Sequence, residues 1–337
     1  MRIFIYIAAI TALAACASSA YRTDETYGGR KIPESPIARC MNLGNALDAP
    51  RVEGAWGYII RYEDMVRLKE AGFDTVRIPA RWSTRTAETP PYTIDPRFLY
   101  RVDEVIGWAE ELGLNAIINV HHYYELNGDP DNHEARLEAI WDQLAAHYAD
   151  ASDHLIFETI NEPHNKMTVA RTDALNRRLL ARIRQDNPDR WVILGTARWG
   201  SLEGLEESDP PYDPRAILTY HDYQPFAFTH QGAFWNRPVL PMGERWGTKE
   251  DRAEMRQQLD RALKVQRTRG MPVFVGEFGV FEKVPQRERA AWIKAMRKGL
   301  EARGMGWCHW DYATTLKAYD LRREEWLPQI RKALVYR

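Results

Sequence analysis

Two glutamates carry the chemistry that this sequence could do. The stretch LIFETINEPHN, residues 155–165, is an apolar run that ends in Asn161, Glu162 and Pro163. The stretch PVFVGEFG, residues 272–279, carries Glu277 close to its end. A carboxylate at the end of a core run is costly to hold unless something uses it there. Two such groups across a cleft could cleave a glycosidic bond. One carboxylic acid protonates the leaving oxygen. The other attacks the anomeric carbon when the pair is close, or activates water when it is farther apart. Neighbouring residue types suit that chemistry. Arg77 can keep one carboxylate ionised and Tyr223 can donate to the same group, whereas the acid needs a less charged setting. His121, His122, His221 and Trp310 also lie at the ends of apolar runs. One His or Arg at such a place is commonly a structural hydrogen-bonder. A set spread over separate runs is hard to read as packing.

The elements that must position these groups repeat. The runs are ARCMNLGNAL, FDTVRIPARW, LNAIINVHH, LIFETINEP, WVILGTARW, AILTYHDY, PVFVGEFG and GWCHWDY, and amphipathic segments follow most of them. Met255, Leu259 and Leu263 recur every four residues, as do Trp292, Met296 and Leu300, which predicts one apolar stripe on each of two helices. Gly72, Gly113, Gly270 and Gly304 fall where a left-handed helix cap favours glycine. Strands alternating with helices predict a parallel sheet, and eight units in about 300 residues predict one closed (β/α)8 TIM barrel over residues 37–337. An open doubly wound sheet is the alternative, but no run is followed by a Gly-rich phosphate loop. In a (β/α)8 barrel the site lies at the C-terminal ends of the strands, where the groups named above gather.

The segments NLGNALD, GFDTVRIPARW, INVHHY, INEPH, HDYQPFAFTHQGAFW, VGEFGVF and WCHWDY stand in the order and spacing of glycoside hydrolase family 5, cellulase family A, which the chain resembles from about Arg39 to its end. The resemblance implies a retaining, endo-acting β-glycanase with Glu162 as acid/base and Glu277 as nucleophile. It implies that Asn161 reads the sugar 2-hydroxyl, that Arg77 and Tyr223 hold Glu277, and that His221 sits beside Glu162. His121 and His122 would contact the sugar at the cleavage point and Trp310 would stack under it. The loop after the sixth run resembles a branch that includes thermophilic endoglucanases, so His230 and Trp235 would reach substrate, as would Asn45 and Asp48. Asp222 and Gln224 depart from the pattern, standing where that family often has an aromatic and a glutamate. The expected substrate is a β-1,4-glucan or mixed-linkage glucan, with mannan or glucomannan as the alternative. Trp56, Trp199 and Trp246 are either platforms for outer sugars or loop anchors.

Composition agrees and excludes little else. Lys plus Arg is 46 and Asp plus Glu is 47 in 337 residues, which gives no basic face for a nucleic acid. Twelve Trp and sixteen Tyr are enough to line a groove for flat sugar rings as well as a core. Two other readings stay open. A metal-dependent hydrolase could use His121, His122, His221 and Asp222, but adjacent strand residues point to opposite sides, so His121 and His122 make a poor pair unless the strand has ended. A non-catalytic glycan-binding barrel should have lost a carboxylate, and both are present. No cofactor or metal is expected, and the chain is expected to act as a monomer.

Residues 1–16 read as an export signal that ends in Leu13-Ala14-Ala15-Cys16, a lipobox-like pattern in which Cys16 takes a lipid anchor. Cleavage after Ala20 is the alternative. Residues 17–36 read as a tether of roughly 25 Å between the membrane and the barrel. Cys40 and Cys308 lie in the first and last runs, which are neighbours in a closed barrel. Their heights relative to the strand ends differ, so two buried free thiols are expected.

Overall fold

A computed structural model describes residues 26–27 and 30–336; Cys16 and the export signal lie outside the described residues. Each of the eight runs contains one barrel strand: β1 Arg39–Asn42, β2 Thr75–Ala80, β3 Asn115–Val120, β4 Leu155–Glu158, β5 Val192–Leu194, β6 Ala216–His221, β7 Val273–Phe278 and β8 Gly306–His309. All pair in parallel in chain order, and β8 pairs with β1 to close the barrel. Strands buried on both faces by a surrounding helical ring read as near-continuous apolar runs, which is why they were legible. The main helices are α1 Tyr62–Ala71, α2 Pro96–Glu111, α3 Pro130–His147, α4 Val169–Asp186, α5 Leu202–Glu207, α6 Lys249–Arg269, α7 Gln286–Glu301 and α8 Pro328–Val335.

The apolar stripes hold on α7, where Trp292, Met296 and Leu300 are all buried. On α6 the buried apolar set is Met255, Leu259, Ala262 and Val265, and Leu263 lies off it. At about 3.6 residues per turn, a four-residue spacing drifts round the helix and the seventh residue stays closer to the stripe than the eighth. Gly72, Gly113, Gly270 and Gly304 all have positive φ, as their cap positions demand.

The barrel interior is layered. Cys40, Ile117, Ile156, Ile193, Ile217, Phe274 and Cys308 form one apolar cluster. Two residues further along the same face come Asn42, Asn119, Glu158 and Thr219, all buried and polar. A period of two puts residues i and i+2 on one face. The apolar plug therefore carries a polar floor, and the cleft opens above it.

The expectation of free thiols is overturned: Cys40 and Cys308 form a disulfide. Parallel pairing sets Cys308 directly beside Cys40. Heights judged from strand ends mislead here, because strand ends carry an error of one or two residues and pairing register tolerates none. The bond closes a loop spanning 268 residues. Replacing both cysteines with alanine should cost about 2–5 kcal/mol of stability. Thermal unfolding of the double variant checks this, and a midpoint equal to wild type would contradict it.

The tether expected over residues 17–36 is partly built into structure. Thr26–Tyr27 pairs antiparallel with Arg30–Lys31, and Ile32 is buried.

Candidate active site

Arg77 is the centre of the polar floor. It projects inward from β2, is fully buried, and uses every N–H it has. Nε donates to Glu158 Oε2 at 2.6 Å and Nη2 to Glu158 Oε1 at 2.7 Å. Nη2 also donates to Asn161 Oδ1 at 2.6 Å. Nη1 donates to Asn42 Oδ1 at 2.8 Å and to Glu277 Oε1 at 2.9 Å. Burial disfavours its charge, but Glu158 and then Glu277 outweigh that and hold Arg77 above the ordinary guanidinium range. Glu158 is a partner of Arg77 that the sequence reading left out, and Asn42 was read only as the end of the first run, with no role. The usable signal was an acid inside an otherwise apolar strand, two residues beyond an inward Ile156.

Glu277 reaches the cleft through a bulge. Against β6, Tyr220 pairs with Val275 and His221 with Glu277, so β7 carries an extra residue. Bulges re-aim side chains. Gly276 makes this one possible: a Cβ there would meet Thr219 Oγ1 at 2.9 Å and His221 Nε2 at 3.0 Å. The Tyr223 hydroxyl donates to Glu277 Oε2 at 2.9 Å.

Glu162 leaves β4 beside Asn161, whose N–H donates to Val120 O at 3.1 Å. His221 Nδ1 lies 2.6 Å from Glu162 Oε1 and 3.6 Å from Glu277 Oε2. Glu162 keeps 25% of its side-chain surface open, against 7% for Glu277. Behind this pair, Gly200 in a left-handed turn lies against His221 and Glu162. That turn also contains Arg198 and Trp199 at positive φ, and Trp199 stacks on His164 with ring centroids 3.3 Å apart.

The surroundings do not separate the two carboxyls as expected. Burial pushes Glu162 up, but the hydrogen bond and charge of His221 pull it below the ordinary carboxyl range. Burial pushes Glu277 up too; His221, Arg77 and Tyr223 pull it back, the charge of Glu162 raises it, and it stays above that range. His221 is lowered by burial and raised more by Glu277 and Glu162, so it ends above the ordinary imidazole range. The proton-carrying unit of the free site is therefore the His221–Glu162 pair, joined at 2.6 Å. A site that needs Glu277 ionised and that proton in place has a bell-shaped kcat/KM profile. With Glu277 raised, the acid limb should lie above the ordinary carboxyl value of 4.5. With His221 raised, the alkaline limb should lie above 6.5. An alkaline limb at or below the ordinary imidazole value would contradict the assignment.

The remaining expected residues line the same cleft. His121 stacks against Trp310 with centroids 5.6 Å apart and planes 6° apart, and burial holds its ring well below the ordinary imidazole range. β3 has ended at Val120, and His122 takes a left-handed φ of 53°. The strand has ended, the case in which the sequence reading allowed the two to pair, and their rings lie 4.3 Å apart on one side. Asp48 is fully buried, and among the described residues neither of its carboxylate oxygens has a hydrogen-bond partner. Asn45 Nδ2 donates to Thr314 Oγ1 at 2.6 Å, which ties that amide to the loop after β8. His230 stacks on Phe226 and meets the edge of Tyr223; burial pushes it down to about 4. Trp235 stays partly exposed beside it, against Phe281. Trp56 meets the edge of His122, and Trp199 is exposed, whereas Trp246 is buried under Arg252.

A parallel barrel with one glutamate beyond β4, another on β7 and an arginine between them defines the class of two-carboxylate glycosidase barrels. Residues 41–315 match the cellulase family, glycosyl hydrolase family 5, and the chain belongs to that family. It is 36% identical to Endoglucanase H of Acetivibrio thermocellus over 270 residues, which are 80% of this chain and 29% of that protein. It is 31% identical to Cellulase/esterase CelE of the same organism, with 80% of this chain and 35% of that one covered. The chain thus spans about a third of the length of these two relatives. Among solved structures it resembles Thermotoga maritima Cel5A in complex with cellobiose, with a TM-score of 0.87, 38% identity, and 89% and 98% of the two chains covered. The same protein with mannotriose also superposes at a TM-score of 0.87 and 37% identity, covering 89% and 98%.

Proposed function

We propose that this chain is a retaining endo-β-1,4-glucanase that works by double displacement. One observation carries the reading: oxygens of Glu162 and Glu277 and a nitrogen of His221 all lie within 4.8 Å of one another. Retaining enzymes place their carboxyls about 5–5.5 Å apart, and inverting ones leave about 6.5–9.5 Å for a water. In the first step Glu277 attacks the anomeric carbon and the bond to the leaving oxygen breaks. That oxygen takes the proton held between His221 and Glu162. Esterified Glu277 has lost the charge that most strongly raised His221. The pair is then poised as a base. In the second step it takes a proton from water, the water oxygen bonds to the anomeric carbon, and Glu277 leaves as carboxylate.

Asn161 supports the sugar-reading role. Arg77 holds its Oδ1, so its NH2 is the group left to donate toward a 2-hydroxyl. Trp310, Trp235 and the exposed face of Trp199 supply apolar surface for pyranose rings, and Asp48, His121 and His122 supply polar contacts on the same cleft. The pairing of Thermotoga Cel5A with both cellobiose and mannotriose supports glucan as the main substrate here, with mannan as the second reading. A buried disulfide supports export, because such bonds persist in oxidising compartments. Anchoring by a lipid on Cys16 and action as a monomer remain part of this reading.

The test is oligosaccharide release from carboxymethylcellulose, barley β-glucan, glucomannan and mannan in parallel. Release from the glucans supports the assignment; release from mannan alone replaces the substrate and keeps the mechanism. Glu162→Ala should lose about 10²–10⁴-fold on these polymers. On an aryl glycoside with a good leaving group, azide should restore turnover and yield a β-glycosyl azide. Failure of azide to do so would remove Glu162 from the acid/base role.

A further inference from the structure

We propose that Asp48, His121 and His122 form a binding site for a divalent transition metal such as Zn²⁺, and that the bound ion excludes the sugar from this end of the cleft. Three observations carry it. Ligand atoms from the three residues lie within 4.8 Å of one another. Asp48 is fully buried, and among the described residues both its oxygens lack a hydrogen-bond partner. A desolvated carboxylate without a donor is costly, and a cation satisfies it. Third, the loop conformation turns the two imidazoles to one side, which a continuing strand would forbid.

The dimensions suit the ion. Ligands about 2.1 Å from a tetrahedral zinc lie about 3.4 Å apart. His122 Nε2 and Asp48 Oδ2 are 3.5 Å apart, one edge of such a tetrahedron, and the ligand atoms of all three residues lie within 4.8 Å of one another. His122 Nδ1 lies 3.1 Å from the Tyr124 hydroxyl, whose oxygen can accept Nδ1–H and leave Nε2 free to bind. His121 Nδ1 lies 3.2 Å from Asn119 Nδ2, and Asn119 Oδ1 accepts from the Ala80 N–H at 3.4 Å, so the carboxamide orients that ring. Two imidazoles and one carboxylate favour zinc, copper or nickel over calcium and magnesium. Arg81, the cation on this side, is drawn over the Tyr124 ring at 5.2 Å.

The other cluster of this kind, Glu162, His221 and Glu277, is the poorer host. Glu162 and His221 already share a proton, and both oxygens of Glu277 accept from Arg77 and Tyr223. The Arg77 cation lies 2.9 Å from Glu277 and repels a second cation.

Zn²⁺ titration of the untagged chain by calorimetry, without substrate, tests the site, with Co²⁺ absorption as a second readout. One ion per chain is expected. Asp48→Asn and His122→Gln should each weaken it by about tenfold or more, and Glu277→Gln should leave it unchanged. Thermal unfolding of each variant shows that the barrel is intact. No binding at millimolar Zn²⁺, or binding that survives both cleft variants, overturns the proposal. Loss in Glu277→Gln alone also overturns it and moves the ion to the catalytic carboxylates. Exclusion of sugar rests on the proposed hydrolysis and is read separately: Zn²⁺ should raise KM and leave kcat unchanged, with full reversal by EDTA. An unchanged KM under saturating Zn²⁺ would overturn that half. A chain with no glucanase activity that still binds one Zn²⁺ would refute the function and leave the site standing.

Discussion

Glu277→Gln should reduce turnover on β-glucan by on the order of 10⁵-fold, because it removes the carboxylate proposed to form the glycosyl ester. The barrel should survive the change. Arg77 Nη1 can donate to the new amide oxygen, and the amide NH2 can donate to the Tyr223 hydroxyl, so both contacts of the native carboxylate find replacements. Glu158 still balances the Arg77 charge. The loss should therefore fall on kcat, with bound oligosaccharide still detectable by calorimetry. Hydrolysis at a tenth of the wild-type rate by a variant free of deamidated protein would break the assignment of the nucleophile.

The second large effect is expected at a residue that never touches sugar. Glu158→Ala strips Arg77 of the acceptor for Nε and for one Nη2 hydrogen, deep in the barrel. Removing one partner of a buried ion pair costs about 3–5 kcal/mol. For a chain of this size that lowers the melting midpoint by about 5–8 °C. Activity should fall as well, since Asn161 and Glu277 both hang on the guanidinium that Glu158 aligns. Glu158→Gln keeps the shape and one acceptor, so it should retain more stability yet shift the acid limb of the pH profile. Wild-type melting and kcat in both variants would show that Arg77 is aligned by something else.

Much of this molecule was legible in its residues. All eight strands could be read because each is an apolar run closed by polar or aromatic groups, and the rim groups could be read because a strand end is where a barrel exposes its site. What escaped depends on which way a side chain faces and on relative height. Glu158 stands inside a run that reads as buried, but only the closed barrel and Ile156 show that its face points inward to Arg77. His121 and His122 look opposed until β3 is seen to stop one residue earlier. The roles proposed for Glu162 and Glu277 follow from position, but the direction of each titration depends on their contacts with His221. No motif specifies a hydrogen bond of 2.6 Å.

The bond between Cys40 and Cys308 also changes what cutting the chain means. A protease nick at any exposed loop between these residues yields two fragments, yet they remain one covalent molecule. Every loop around the catalytic rim from Leu43 to Trp307 falls inside that ring. A nicked chain should run as a single band without reductant and as two with it. Fragments held at the β1–β8 seam stay at high effective concentration for one another and can close again as a barrel. For a chain exported as proposed, where resynthesis is remote, this bond lets the barrel outlive its first cut.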